Sequence, residues 1–250
     1  LRPRAGVALL ESLERRGTTV DVAEADLFAL DFSDMARADG LGFKALEILD
    51  AVHALRRLTG RDKVRLVAHS AGGLAARAWI QSALPGLPFR GEVDRLITIG
   101  TPHLGSVQAG TLGELIGTRV TSIGIDAPLV RALNQRLDLP AEVDFASIIV
   151  RGIAADVRGG GHRYRHLADQ ELLGRLPRSL TEGGDQVVHA VSQNLALVPV
   201  ARRYEQEHGR PVQYVLARVS ERRRGDGIRG RLIHTRAPRD PSVCALVEHL

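Results

Sequence analysis

Cysteine is almost absent: Cys244 is the single one in 250 residues. An intrachain disulfide framework is therefore excluded, and so is a cysteine-built zinc or redox centre, while the compartment stays open because large secreted enzymes also manage without bridges. Uninterrupted apolar runs are missing too. No stretch approaches the ~18 residues needed to span a bilayer, so no membrane-crossing segment is expected. Acidic excess is lacking, with a formal net charge of +5 and a pI near 10.1, and almost all of the positive charge is arginine. Aromatic residues make up only 4%, and the arginine concentrations at "RRYEQEHGR" and "SERRRGDGIRGR" lack their repeated interleaving. A solvated arginine-rich surface follows rather than a nucleic-acid site, with contact to an acidic or membrane surface left open. The chain also has no initiator methionine. It opens at Leu1 and passes almost directly into helix-like sequence, so it is expected to be the remainder of a longer protein, and neither leader nor localisation is assigned.

What the chain does contain is an ordinary globular balance, 44% hydrophobic and 25% charged, enough for one large α/β domain with a sizeable core. A βα rhythm organises it. Val7, Leu9, Leu10 and Leu13 form a helical stripe ended by Gly17, and "TTVDVAEADL" (18–27) then alternates like a strand. Residues 41–59 carry Leu46, Leu49, Val52 and Leu55 at helical spacing, and Gly60 closes them before the buried-type strand "KVRLVA" (63–68). A helix at "LAARAWIQSAL", a turn at "PGLP" and a strand at "VDRLITIG" follow. From Leu104 to Pro140 the rhythm breaks, which reads as a lid or cap inserted over the sheet. It resumes with strands at "VDFASIIVRGIA" and "PVQYVLARV", and a last helix at "DPSVCALVEHL" has Asp240 near its N-terminus. Such alternation implies a mostly parallel sheet with helices on both faces and a ligand site at the carboxyl ends of the strands.

One junction carries the chemistry. "KVRLVAHSAGGLAARAW" (63–79) runs from strand to helix with Ser70 at the turn. A serine hydroxyl is a poor nucleophile unless a base, an orienting carboxylate and oxyanion donors surround it. A strand-to-helix elbow supplies part of that: it presents Ser70 at the sheet edge and frees the Ala71 N–H to donate. So tight a turn demands small neighbours two residues either side, met by Ala68 and Gly72. The competing assignment is a serine that merely caps a helix.

Here the sequence resembles the α/β-hydrolase superfamily, and within it the lipase/esterase branch. The resemblance rests on "VRLVAHSAGGLAAR", on "LITIGTPHLGS" (96–106) and on "EGGDQVVHAVS" (182–192), the last similar to a lipase Gly-Asp-Gly-Val-Val-Pro segment with Gln186 and His189 as departures. It extends along the chain as a single 1–250 domain, apart from front-end strands expected upstream of residue 1, and it implies a serine carboxylic-ester hydrolase acting through an acyl-enzyme. In this fold the acid lies between serine and base, which leaves Asp156 and Asp185; the resemblance favours Asp185 and keeps Asp156 as runner-up. A base after the acid leaves His189, His208, His234 and His249. His234, after "RLI" and before a turn and a helix, has the expected context. His69 and His103 are expected beside the pocket with Leu104, not as bases.

The "HRYRH" pair (162–166) is too little for zinc, and no cofactor is expected. The resemblance implies an ester or lipid small-molecule substrate, no nucleic acid, and no stated oligomeric state. It also implies a second oxyanion donor on a loop upstream of residue 1. A thioesterase, amidase or lipid deacylase using the same implied triad of Ser70, Asp185 and His234, or a non-catalytic or truncated protein of the same fold, are the alternatives.

Overall fold

The computed structural model describes residues 27–30, 40–86, 88–107, 123–152, 161–219 and 233–250. The helix and strand expected over 7–27 lie outside these residues but for Leu27. So do residues 108–122 of the Leu104–Pro140 insertion, the runner-up acid Asp156 and the arginine-rich 220–231 segment.

Helix α1 (Leu41–Thr59) leads through Gly60, left-handed at φ 66°, whose N–H donates to the Arg56 carbonyl and closes the helix. Strand β1 (Val64–His69) follows, then α2 (Ala71–Ile80), β2 (Val93–Ile99), α3 (Pro128–Gln135) and β3 (Asp144–Gly152). After several short helical turns come α4 (Pro199–His208), β4 (Gln213–Val219) and α5 (Pro241–His249). As expected, Asp240 caps α5, its side chain accepting the Ser242 N–H. The four strands are all parallel in the order β1-β2-β3-β4.

Side chains alternate across a strand, so a sheet covered on both faces needs apolar residues at every position. β3 meets that demand with six consecutive buried residues, Phe145–Val150. Its Phe145, with Leu96 of β2, joins the larger core, built with Ile48 and Val52 of α1, Leu74, Trp79 and Ile80 of α2, and Tyr204 of α4. On the opposite face Ile97, Ile99, Ala146, Ile148, Val150 and Ala217 pack with Ile233, Ala237 and Val243. Burial of each large apolar side chain contributes roughly 1.5–3 kcal/mol, so these two layers hold the carboxyl ends of β1, β2 and β3 in fixed relation. Among the described residues β1 pairs with β2 alone, and its Val67 is 48% exposed.

The described part of the insertion packs inward. Ile123, Val130 and Leu133 are buried in the larger core. Asn134 reaches the buried Arg77 of α2.

Candidate active site

Ser70 joins β1 to α2 with φ 55° and ψ −132°. A side chain in that conformation costs ~1–3 kcal/mol and persists only where its surroundings impose it. The Ser70 N–H donates to the Ile99 carbonyl at 3.0 Å and the Gly73 N–H to the Ser70 carbonyl at 3.1 Å, so β2 and the first turn of α2 together enforce the bend. A Cβ at Gly73 would overlap the Thr101 side chain. This third small position follows from packing against the loop after β2, which the serine's immediate sequence does not reveal. Ala71 is the first residue of α2, where an N–H has no acceptor within the helix.

The structure brings Ser70, His234 and Asp185 together. His234 Nε2 lies 2.7 Å from Ser70 Oγ, and its Nδ1 lies 2.6 Å from Asp185 Oδ2. A carboxylate only accepts, so the ring proton sits on Nδ1 and the Nε2 lone pair faces the serine hydroxyl. Asp185 is fully buried and His234 nearly so. The other carboxylate oxygen, Oδ1, accepts the N–H groups of Val187 at 3.1 Å and Val188 at 2.7 Å, which fixes the rotamer that aims Oδ2 at the ring. His234 stands not in an irregular loop but in a helical turn, Ile233–Arg236, seated on the second core through Ile233 and Ala237. Its N–H donates to the Asp185 carbonyl at 3.2 Å.

Gly100, directly after β2, closes over this pair with φ 57°. A Cβ there would lie 2.9 Å from Asp185 Oδ2 and 3.4 Å from His234 Nδ1. Sequence reasoning passed over Gly100; its only local sign is its place at the end of "LITIG".

His69 packs its ring against His234, centroids 4.7 Å apart. Its Nε2 is buried and has no hydrogen-bond partner among the described residues. Burial first, and then the neighbouring His234, push its pKa down to about 3, against the opposing pull of Asp185 and a hydrogen bond with the His234 backbone. The ring therefore stays neutral beside Ser70, His234 and Asp185.

His103, expected beside the pocket, is instead wholly interior. Arg77 Nη1 lies 3.3 Å from its Nδ1 and Thr98 Oγ1 3.0 Å from its Nε2. Arginine only donates, so Nδ1 accepts and Nε2–H donates to Thr98. Burial, then the Arg77 charge, hold its pKa well below the usual histidine range. Burial likewise pushes Arg77 down to about 9. Among the described residues its acceptors are all neutral: besides His103 Nδ1 they are Gln81 Oε1 at 2.9 Å, the Leu133 carbonyl at 2.8 Å and Asn134 Oδ1 at 3.1 Å. Leu104 is buried in the larger core. These residues brace the loop after β2 from within.

A cavity of about 340 Å³ is lined by Ser106, Val107, Ile125, Asp126, Arg163 and His166, and Ser70, Asp185 and His234 are not among them. No group of three or more potential metal ligands converges among the described residues. None of their helices is long and apolar enough to cross a membrane.

No protein-family model matches the chain. Over 99 residues, 40% of its length, it is 31% identical to a triacylglycerol lipase of Pseudarthrobacter phenanthrenivorans and equally to one of Burkholderia plantarii. The chain covers 29% and 26% of the length of those relatives. Phospholipase PlaB from Legionella pneumophila, solved in complex with thio-NAD, superposes on 96% of this chain and 53% of its own, with a TM-score of 0.53 at 16% identity. The mature form of Bacillus licheniformis lipase BlEst2 covers 64% of both chains, with a TM-score of 0.44 at 19% identity. The fold is that of the α/β-hydrolases, and over those 99 residues the sequence is similar to triacylglycerol lipases.

Proposed function

We propose that the protein is a serine carboxylic-ester hydrolase in which Ser70 is the nucleophile, His234 the general base and acid, and Asp185 the orienting carboxylate. The observation that supports this reading is the unbroken hydrogen-bond relay from Ser70 Oγ through His234 to Asp185, at 2.7 Å and 2.6 Å, set at a strained elbow.

Ser70 Oγ attacks the ester carbonyl carbon while its proton passes to His234 Nε2. Asp185 stabilises the imidazolium through Nδ1–H. The Ala71 N–H donates to the carbonyl oxygen as it takes up negative charge, a type of contact whose loss typically costs ~100- to 1,000-fold in rate. His234 then gives its proton to the departing alkoxide, which leaves as the alcohol with Ser70 acylated. A water molecule enters, loses a proton to His234 Nε2 and attacks the acyl carbon, and the proton returns to Ser70 Oγ as the carboxylic acid departs. The substrates are acyl esters, including the lipid esters named for the similar lipases.

Hydrolysis of short- and medium-chain p-nitrophenyl esters by wild type and Ser70→Ala tests this. Loss of the nucleophile should lower kcat roughly a million-fold; wild-type turnover in Ser70→Ala refutes it. A parallel panel of thioesters, amides and phospholipids settles the acyl group, and a preference for thioester or amide would replace the ester assignment.

A further inference from the structure

Gln186 follows Asp185 with φ 76°, in the left-handed region that glycine occupies freely and a glutamine does not. The same loop uses a glycine where it needs that conformation again, at Gly183 with φ 70°. The strain at Gln186 coincides with a long-range contact: its Oε1 accepts the Ile233 N–H at 2.9 Å, across 47 residues of chain. Ile233 immediately precedes His234. The His234 N–H in turn donates to the Asp185 carbonyl at 3.2 Å, and Asp185 Oδ2 meets Nδ1 at 2.6 Å. Two consecutive residues of the acid loop thus hold two consecutive residues of the base segment by three hydrogen bonds. Only one of the three is the acid–base contact itself.

We infer that Gln186 is a positioning residue for the reaction: its side-chain amide fixes the main chain on which His234 is mounted. The inference rests on the triad proposed above. His234 must take a proton from Ser70 and hand it to a leaving group without changing its seat, and the Asp185 contact alone leaves the ring free to pivot about Nδ1. Bonds to two successive backbone N–H groups remove that freedom. Backbone strain of this kind persists where the surrounding structure over-determines it and clusters at functional sites; here the strained residue supplies the outer of the two bonds.

Gln186→Gly separates positioning from mere structure, because the two roles move different quantities. Glycine relieves the backbone strain, so the melting temperature should equal or exceed that of wild type. Without the Ile233 anchor, kcat should fall by ~10- to 100-fold with KM unchanged, the scale of an ångström-sized misplacement. Gln186→Glu keeps an acceptor for the Ile233 N–H and should recover most of kcat at alkaline pH. The acid limb of its kcat/KM profile should move to higher pH, because an added negative charge near His234 favours the imidazolium. Amide hydrogen exchange at Ile233 should be faster in Gln186→Gly and near wild type in Gln186→Glu. Wild-type kcat in Gln186→Gly overturns the inference, as does a joint loss of stability and activity that Gln186→Glu fails to restore. Retained turnover in Ser70→Ala is a different failure: it removes the triad and leaves the exchange at Ile233 as predicted.

Discussion

Replacing Gly100 by alanine adds one methyl group at the point where the loop after β2 meets the Asp185–His234 pair. Two costs arise, and they can be separated. Gly100 has φ 57°, so a Cβ costs roughly 1–2 kcal/mol in backbone strain alone. The same Cβ would stand 2.9 Å from Asp185 Oδ2 and 3.4 Å from His234 Nδ1. Ordinary contact for such atoms begins at about 3.5 Å, so the carboxylate has to yield by roughly half an ångström. It has little room to do so, because its other oxygen is held by two backbone N–H groups. A displaced acid on this scale should lower kcat by ~100-fold, or about 2.7 kcal/mol of transition-state stabilisation.

Gly60→Ala supplies the control. Gly60 has φ 66°, an added Cβ there would meet nothing within 4 Å, and the residue lies at the end of α1, before β1 begins. Thermal unfolding should show a similar loss of ~1–2 kcal/mol in both variants. Steady-state hydrolysis of a p-nitrophenyl ester should show a loss of kcat in Gly100→Ala alone. If both variants keep wild-type kcat, the close packing of Gly100 on the acid–base pair is not what maintains its geometry.

Asp185→Asn should keep the Val187 and Val188 contacts through its carbonyl oxygen while facing His234 Nδ1 with an N–H, which favours the wrong ring tautomer; kcat should fall ~10,000-fold with little change in melting temperature, and an active variant would remove Asp185 from the mechanism. His69 predicts a pH effect on stability. Its folded pKa of about 3 lies below the ordinary 6.5, so between those values the unfolded chain holds a proton that the folded chain refuses, and stability falls as pH falls through that window. His69→Phe keeps a ring against His234 without this linkage, so its loss of unfolding free energy between about pH 7.5 and about pH 5 should be ~2 kcal/mol smaller than that of wild type; parallel losses in urea titrations would contradict the shift. Asn134→Leu deprives the buried Arg77 of one acceptor and the His103 carbonyl of its donor, and should cost ~2–4 kcal/mol in thermal unfolding; an unchanged melting temperature would show that the guanidinium is solvated by other means.

The parallel sheet was legible because β1, β2 and β3 are short runs rich in β-branched and other apolar residues, with a helix-period stretch between the first two, and local patterns of that kind survive in any tertiary context. Ser70 was legible for the same reason: strand, small residue, serine and helix are contiguous. The proposed acid and base are harder to read. Asp185 and His234 are 49 residues apart, and a resemblance and chain order, not spacing, singled them out. What stayed hidden was the close packing around them. Gly100 touches Asp185, Thr101 fills the space above Gly73, and Gln186 reaches Ile233, each contact joining elements far apart in sequence. The resemblance placed His103 near the pocket but could not reveal its partners, Arg77 on one side and Thr98 on the other, which hold it in the interior. The only local signs of this layer were a glycine ending a strand and a glutamine where a glycine fits the backbone.

Everything above turns on Ser70 being the nucleophile. A fluorophosphonate probe, followed by proteolysis and mass spectrometry, tests it most directly. One adduct is expected, carried by the peptide containing Ser70, blocked by prior incubation with an ester substrate and absent from Ser70→Ala. An adduct on a different residue, or ester hydrolysis that continues in protein fully labelled at Ser70, would contradict it.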